Sequence, residues 1–198
     1  MYIIGITGGT GSGKTTALRS LELLGALTLD CDAIYHQLLA ENRALQNAIN
    51  DRFPNVLEND TINRKKLGEI VFNDSKALED LNDITHKYVT AEIEQRISDW
   101  ESKGGKVAAI DAIALIESDI AEICDIVIGI TAPLEMRIAR IMARDAISKE
   151  QALTRINAQK PESFFVDNCD EILRNDHATM DDFEKICKDF FEKHLEQM

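Results

Sequence analysis

The sequence predicts an α/β fold in which helices cover both faces of a parallel sheet. Short apolar runs of strand length alternate with longer segments whose apolar residues recur at helical spacing; the runs are 2–7, 26–30, 106–111, 125–130 and 171–175. This alternation is typical of parallel sheets, because a crossover helix joins one parallel strand to the next. The 198 residues are enough for one such domain with a sizeable insertion.

Helices in the second half of the chain carry start signals. The segment 133–145 has a proline in its first turn and apolar residues at the positions expected to face the core, among them Leu134. Ser148 and Gln151 form a capping box, which predicts the start of the next helix. Thr179 is placed to cap the final helix.

The first half of the chain has a different pattern. From the second strand to about residue 103 it is helical almost throughout, which is too long for a single crossover connection. We therefore expect a helical insertion over 33–105 that acts as a lid or binds substrate, with Phe72 in its core. The segments 1–32 and 106–198 then form the domain that contains the sheet.

The composition argues against some classes of partner. Asp and Glu exceed Lys and Arg by 35 to 22, a formal charge of −13, and so acidic a surface repels nucleic acid and anionic membranes. No apolar run approaches the ~20 residues of a membrane span. The four cysteines form no CxxC pair and no cluster with zinc-ligand spacing. We expect a soluble cytoplasmic protein, either a monomer or a small homo-oligomer.

The first strand runs into GGTGSGKTT, residues 8–16. The first eight of these residues match G-x-x-x-x-G-K-[ST], the phosphate-binding P-loop, in the strand–loop–helix setting that the motif requires. Glycines let backbone N–H groups curl around phosphate oxygens, where a side chain would block the approach. Lys14 is predicted to reach the β- and γ-phosphates of ATP, and Thr15 to ligate Mg²⁺. The predicted ATP-binding residues of this stretch are Gly9, Thr10, Gly11, Ser12, Gly13, Lys14, Thr15 and Thr16.

The residues that accompany the P-loop indicate a small kinase. The strings DxxG and NKxD, usual in GTPases, do not occur, and Asp111 is not followed by the glutamate of motor ATPases. The sheet domain is thus predicted to be a nucleotide-binding core of the P-loop kinase fold, with a lid around 137–165. The arginines of this lid are Arg137, Arg140, Arg144 and Arg155. Arg140 and Arg144 are four residues apart, on one helix face, and are predicted to hold the transferring phosphate.

Carboxylates follow two of the predicted strands. Asp30 and Asp32 come at the end of the second strand, and Asp111 at the end of the third. Ligands of parallel sheets bind at the edge where the carboxyl ends of the strands meet. Asp32 is a candidate to accept a proton from an attacking hydroxyl, or it caps the next helix, or both. Asp111 is predicted to hold metal or a substrate hydroxyl.

Over nearly its whole length the chain resembles the dephospho-coenzyme A kinases. The resemblance is carried by GITGGTGSGKTT, LGALTLDCDAIYHQLL, NRKKLGEIVFND, LNDITH, AIDAIALIES and RIMARDAISKEQALTRINAQ. It implies transfer of phosphate from Mg²⁺-ATP to the ribose 3′-hydroxyl of dephospho-CoA, the last step of coenzyme A biosynthesis, with the insertion binding the acceptor. It implies Asp32 as the base on the acceptor, His86 and Glu117 as further acceptor residues, and Asn175 on ATP. The motif, helix spacing and sheet edge described above add Lys14 and Arg140 as catalytic residues, Arg144 on ATP and Asp111 on the acceptor.

The chain departs from the pattern of this family at the acceptor side and in the lid. Lys87 and Ile113 stand where the family usually has proline. Phe164 and Phe165 stand where a basic residue is usual. Two alternatives stay open: another P-loop kinase of a small molecule or nucleotide, and a non-catalytic nucleotide-binding protein.

Overall fold

The computed structural model describes residues 1–196. The strands are β1 (Tyr2–Thr7), β2 (Leu27–Asp30), β3 (Leu57–Glu58), β4 (Thr61–Ile62), β5 (Val107–Asp111), β6 (Ile126–Thr131) and β7 (Glu171–Arg174). The helices are α1 (Lys14–Leu23), α2 (Cys31–Glu41), α3 (Arg43–Arg52), α4 (Arg64–Val71), α5 (Ser75–Ser102), α6 (Leu134–Asp145), α7 (Lys149–Asn157), α8 (Glu162–Asn168) and α9 (Met180–Glu196). A short 3₁₀ helix, Asp119–Ile123, precedes β6.

The main sheet has the strand order β2-β5-β1-β6-β7. The central strand β1 pairs in parallel with β5 and β6, and β6 pairs in parallel with β7. The register places Ile6 of β1 opposite Asp111, the last residue of β5. Because β1 leads directly into the P-loop, the loop begins at the middle of the carboxyl edge of the sheet. The predicted parallel α/β fold is confirmed.

The last four residues of β1 are buried. Ile4 and Ile6 are inaccessible to solvent and belong to one apolar cluster with Ile128 and Ile130 of β6. Phe183, on α9, closes the same cluster. Full burial of each such side chain contributes about 1.5–3 kcal/mol. The P-loop therefore follows directly from the buried end of a central strand.

The chain forms two compact units. The first consists of Met1–Leu29 together with the chain from Trp100 onward, and the second is Asp30–Asp99. The second unit thus starts three residues before the insertion expected over 33–105, and it ends six residues earlier. It contains α2, α3, α4, the hairpin β3–β4 and most of α5.

Two features of the second unit differ from the sequence analysis. The β3–β4 hairpin was not predicted; its two-residue turn is formed by Asn59 and Asp60, both with positive φ, as type I′ turns require. Phe72 is predicted in the core and is 85% exposed, because it is the C-cap residue that follows α4 and lies outside the buried positions of that helix, Leu67 and Val71. The core prediction for Phe72 is wrong.

The helix signals of the second half are largely correct. The capping box of Ser148 and Gln151 is present, and the Thr179 hydroxyl accepts from the Asp182 N–H at 3.1 Å. Leu134 is 48% exposed rather than buried, because it is the first residue of α6. The short helix α8 was not predicted. Among the helices of the described residues, none combines the length and apolar character needed to cross a membrane.

Candidate active site

The P-loop joins β1 to α1 over residues 8–13. Gly13 has a left-handed conformation, with φ of 115°, and offers no side chain to cap α1. The N-terminus of α1 therefore has no capping side chain at Gly13, and the positive end of the helix dipole favours an anion there. Lys14 donates from Nζ to the Gly8 carbonyl at 3.1 Å, which keeps its ammonium group beside the loop.

Neighbouring side chains provide a second reason for the glycines. A Cβ on Gly9 would collide with the guanidinium of Arg137, and a Cβ on Gly13 would collide with the side-chain amide of Asn175. The close approach of a ligand is the reason for these glycines that the motif alone predicts. In the structure they also allow side chains from later elements to lie directly against the loop.

Two side chains bind the peptide groups of Thr10. Arg137, on α6, is 7% exposed and donates from Nε to the Thr10 carbonyl at 2.9 Å. Gln159, which follows α7, accepts from the Thr10 N–H through Oε1 at 2.7 Å. Burial lowers the pKa of Arg137, and the carboxylate of Glu162 opposes that shift. Thr10 is thus held at both its N–H and its carbonyl.

Arg140 and Asn175 bind the next residues of the loop. Arg140 donates from Nη1 to the carbonyls of Gly11 and Ser12, at 3.3 and 3.4 Å. Its Nη2 donates to Asn175 Oδ1 at 3.0 Å and to the His177 carbonyl at 3.4 Å. Asn175 is 3% exposed and donates to the Ser12 carbonyl at 2.7 Å. The sequence predicts Arg140 on the transferring phosphoryl group; here its Nη donors face oxygen atoms of the protein.

Arg144 and Arg155 contact a carboxylate instead of the loop. Arg144 donates from Nε to Asp145 Oδ1 at 2.7 Å, and Arg155 pairs with Asp145 Oδ2. The hydrogen bond from Arg144 is the main cause that lowers the pKa of Asp145, with both arginine charges acting in the same direction. Both arginines are exposed. The ATP-binding role of Arg144 stays a prediction.

The donor atoms near the loop suit Mg²⁺-bound phosphates. The hydroxyl of Ser12 is buried and has no hydrogen-bond partner among the described residues. Thr15 is exposed in the first turn of α1, and Asp111 is half-buried at the end of β5. Mg²⁺ prefers oxygen ligands and usually takes only one or two from the protein. The described residues contain no group of three His, Cys, Asp or Glu side chains that could hold a metal.

The second unit contains the candidate carboxylates Asp30 and Asp32. Asp30 caps α2, since its Oδ1 accepts from the Ala33 N–H at 3.0 Å. Asp32 is exposed in the first turn of the same helix, so the cap that the sequence left open for it belongs to Asp30. His86 is half-buried on α5, and its neighbour Lys87 is exposed.

Comparison with known proteins decides the family. The chain matches the family model described as dephospho-CoA kinase over residues 2–181. The chain belongs to the dephospho-CoA kinase family. A dephospho-CoA kinase from Lactobacillus johnsonii is 36% identical over 97% of this chain and 98% of its own length. The predicted resemblance, and an enzyme of this type, are therefore confirmed.

Solved structures agree with the dephospho-CoA kinase family. A dephospho-CoA kinase from Campylobacter jejuni is 27% identical, with a TM-score of 0.61 over 96% of both chains. The crystal structure of a Thermus thermophilus protein is 28% identical, with a TM-score of 0.79 over 97% of both chains. The likeness extends over nearly the whole chain and so includes the sheet as well as the P-loop.

The lid departures from the dephospho-CoA kinase pattern have local explanations. Phe165 is 2% exposed and lies on the buried side of α8. The Nζ atom of Lys160 lies 4.9 Å from the centre of the Phe164 ring and 3.7 Å from Oε1 of Glu117. The positive charge of this segment therefore comes from Lys160, with Phe164 as a cation–π partner. Glu117, predicted to meet the acceptor, pairs with Lys160 in this structure.

Sequence reasoning missed the contacts of Arg137 and Gln159 with the P-loop. The sequence marks Arg137 only as one of several lid arginines, and Gln159 only as the end of a family-like segment. A signal existed for Arg137, because a residue three positions before Arg140 shares its helix face. The contact of Gln159 with residue 10 spans 149 positions and leaves no trace in a single sequence.

Proposed function

We propose that the chain transfers the γ-phosphoryl group of ATP to the ribose 3′-hydroxyl of dephospho-CoA and so forms coenzyme A. Membership of the dephospho-CoA kinase family over residues 2–181 is the observation that carries the proposal. An intact P-loop at the carboxyl end of β1 supports ATP as the phosphoryl donor. The substrates are ATP and dephospho-CoA.

The phosphates of ATP bind to backbone N–H groups of the P-loop, those of Gly11 and Gly13 among them, and to the N-terminus of α1. Lys14 reaches the β- and γ-phosphates by leaving the Gly8 carbonyl, which it contacts at 3.1 Å. Arg144 and Asn175 complete the proposed ATP site. Arg140 meets the transferring phosphoryl group only by exchanging at least one protein oxygen for a phosphate oxygen, because its Nη donors are now used.

Mg²⁺ fits this set of residues. Thr15 is the proposed ligand, and the buried Ser12 hydroxyl without a partner supports an additional oxygen-rich group at the loop. When bound, the cation neutralises charge that develops on the phosphates during transfer. The protein provides few ligands of its own, as expected for a cation that arrives with the nucleotide.

Asp32 is the proposed general base, and the second unit is the proposed acceptor-binding unit. A ribose hydroxyl is a poor nucleophile until its proton has an acceptor, and a positioned carboxylate contributes roughly 10²–10⁴ in rate. Asp32 is exposed, and the cap of α2 is made by Asp30, so the Asp32 carboxylate is available for this task. His86, Asp111 and Glu117 are proposed to bind the acceptor.

The cellular setting is part of the proposal. We propose a cytoplasmic monomer or small homo-oligomer that does not bind nucleic acid or membranes. The formal charge of −13 supports this, because an acidic surface is repelled by phosphate-rich partners.

A coupled assay of ADP release tests the proposed function, with dephospho-CoA, AMP, CMP, shikimate or water as the acceptor. We expect turnover well above the water rate only with dephospho-CoA, and a product whose new phosphate is on the ribose 3′-oxygen. Preference for another acceptor would indicate a different kinase of this fold. ATP binding without turnover on any acceptor would indicate a non-catalytic nucleotide-binding protein.

A further inference from the structure

Three consecutive carbonyl groups of the P-loop accept hydrogen bonds from side chains that come much later in the chain. The acceptors are the carbonyl oxygens of Thr10, Gly11 and Ser12, and the donors are Arg137, Arg140 and Asn175, at 2.7–3.4 Å. In a planar trans peptide group the N–H points away from the carbonyl. The donors on one side of the loop therefore hold the following N–H groups toward the other side.

These N–H groups belong to residues 11–13. The Ser12 N–H closes a turn onto the Gly9 carbonyl at 3.2 Å. The N–H groups of Gly11 and Gly13 are thus the ones that the three donors orient for a ligand. A phosphate site made from backbone amides depends on such an orientation, because each N–H must point at a phosphate oxygen.

Arg137 differs from Arg140 and Asn175 in having a buried side-chain donor that is not used. Its side chain is buried, Nε binds the Thr10 carbonyl at 2.9 Å, and Nη2 has no hydrogen-bond partner among the described residues. Nη2 lies against Gly9, since a Cβ on that glycine would collide with it. A buried cation with an unused donor is costly unless its charge is compensated. The carboxylate of Glu162 acts on Arg137 only as a nearby charge, without a hydrogen bond in the described structure.

We propose that Arg137 is a positioning residue for the nucleotide. Through the Thr10 carbonyl it holds the Gly11 N–H toward the phosphates, and the bound triphosphate compensates its buried charge. The proposal rests on the proposed function, because it requires ATP on the P-loop. It predicts that Arg137 affects the affinity for ATP and not the affinity for dephospho-CoA.

The test compares Arg137→Met and Arg137→Gln with the wild-type chain. Methionine keeps the length of the side chain without any donor, whereas the glutamine amide retains a donor for the Thr10 carbonyl but has no charge. We expect Arg137→Met to raise the calorimetric Kd and the KM for Mg²⁺-ATP about tenfold, the loss typical of one charge-assisted hydrogen bond. The KM for dephospho-CoA should stay within about twofold, and Arg137→Gln should fall between Arg137→Met and the wild type.

Arg19→Met is the matched control. Arg19 lies on α1, where its side chain is 62% exposed and 3.7 Å from Glu184. This variant also exchanges arginine for methionine close to the P-loop, but it removes no contact with the loop. We expect its ATP affinity and its melting temperature to match the wild type.

Two results would overturn the role of Arg137. One is an Arg137→Met variant that melts like the wild type and binds ATP as tightly. The other is an equal loss of affinity for ATP and dephospho-CoA together with a lower melting temperature, which would indicate a general structural role. If Arg137→Met does not fold, Arg137→Gln decides: an ATP-selective loss supports the proposal, and wild-type affinity or an unselective loss contradicts it.

Lys14→Ala, measured alongside, separates this proposal from the proposed function. If Lys14→Ala leaves the Kd and the KM for Mg²⁺-ATP unchanged, the P-loop is not the nucleotide site and both proposals fail. If Lys14→Ala impairs ATP binding or phosphoryl transfer while both Arg137 variants have the wild-type Kd and KM for Mg²⁺-ATP, only the positioning role fails.

Discussion

The two compact units differ in how far the protein itself fixes the groups that do chemistry. In the first unit, the P-loop is bound on its carbonyl side by Arg137, Arg140 and Asn175. In the second, the proposed base Asp32 is exposed in the first turn of a helix, and His86 is half-buried on another helix. We infer that the nucleotide site is preformed, whereas the acceptor residues gain their final geometry from the substrate.

The difference has a physical reason. A phosphate cradle made of backbone amides works only when several N–H groups converge, and flexible amides would lose that convergence. A carboxylate that accepts one proton needs a single correct approach, which a bound acceptor can provide. If this comparison is right, perturbations of the P-loop and of the side chains that bind it should impair ATP chemistry and leave dephospho-CoA binding intact.

Removal of the divalent cation should have the largest effect. In the proposed reaction Mg²⁺ neutralises charge on the phosphates, with Thr15 as its proposed ligand. Excess chelator should reduce phosphoryl transfer to the background rate, and added Mg²⁺ should restore it. Calorimetric binding of dephospho-CoA alone should not change. Undiminished transfer in chelator would contradict the cation requirement.

Lys14→Ala should have the next largest effect. Lys14 lies beside the loop, with its Nζ atom 3.1 Å from the Gly8 carbonyl oxygen. We expect a loss of about 10³-fold in transfer, comparable to other losses of one group that stabilises transition-state charge. Melting temperature and dephospho-CoA affinity should match the wild type. Lys188→Ala, an exposed change on α9, is the control.

Near-normal transfer in Lys14→Ala, or a matching loss in Lys188→Ala, would contradict the assignment of the P-loop lysine. A loss of dephospho-CoA binding in Lys14→Ala would instead contradict the separation of the two sites. The first result therefore tests the nucleotide site, and the second tests its independence from the acceptor site.

Asp145→Asn should have the smallest effect. Asp145 joins α6 to α7 by pairing with Arg144 and Arg155, and these contacts lower its pKa. A carboxyl whose pKa is lowered by folding stabilises the native state above its unfolded pKa of ~3.9, and this contribution is lost as the pH falls through the folded value. The variant should melt slightly below the wild type at pH 7, because both arginines are exposed.

The pH dependence supplies the check on Asp145. Thermal melts at pH 7 and at progressively more acidic pH should show the difference between variant and wild type shrinking as the wild-type carboxyl becomes protonated. Glu135→Gln breaks an exposed pair with Lys149 between the same helices and serves as the control. A difference that grows on acidification would contradict the assigned direction of the pKa shift.

The sequence predicts features that neighbouring residues encode together. The P-loop, the five strands of the main sheet and the capping box at Ser148 were each recognisable within a short window, and the structure contains them. The Asn59–Asp60 turn also has a local signal, because both residue types tolerate positive φ. Its strands have only two residues each, which is too short to show a strand pattern between helical segments.

Other features depend on contacts between distant residues. The hydrogen bond of Arg137 to the Thr10 carbonyl spans 127 positions, and its orientation follows from where α6 packs. The sequence therefore shows that arginines are concentrated after β6 but not which of them contact the loop. The roles proposed for the acceptor residues are harder still to predict, because the proposed partner is a substrate and not a part of the chain.

Asp32→Asn tests the proposed division between a preformed nucleotide site and a substrate-dependent base most directly. Asparagine keeps the size and most of the hydrogen bonding of Asp32 but cannot take the proton. We expect ATP and dephospho-CoA to bind within about twofold of the wild type by calorimetry, while single-turnover transfer falls by roughly 10²–10⁴. Asp30→Asn should mainly weaken the cap of α2. Full transfer in Asp32→Asn, with transfer abolished in Asp111→Asn, would contradict the account and assign the base to Asp111.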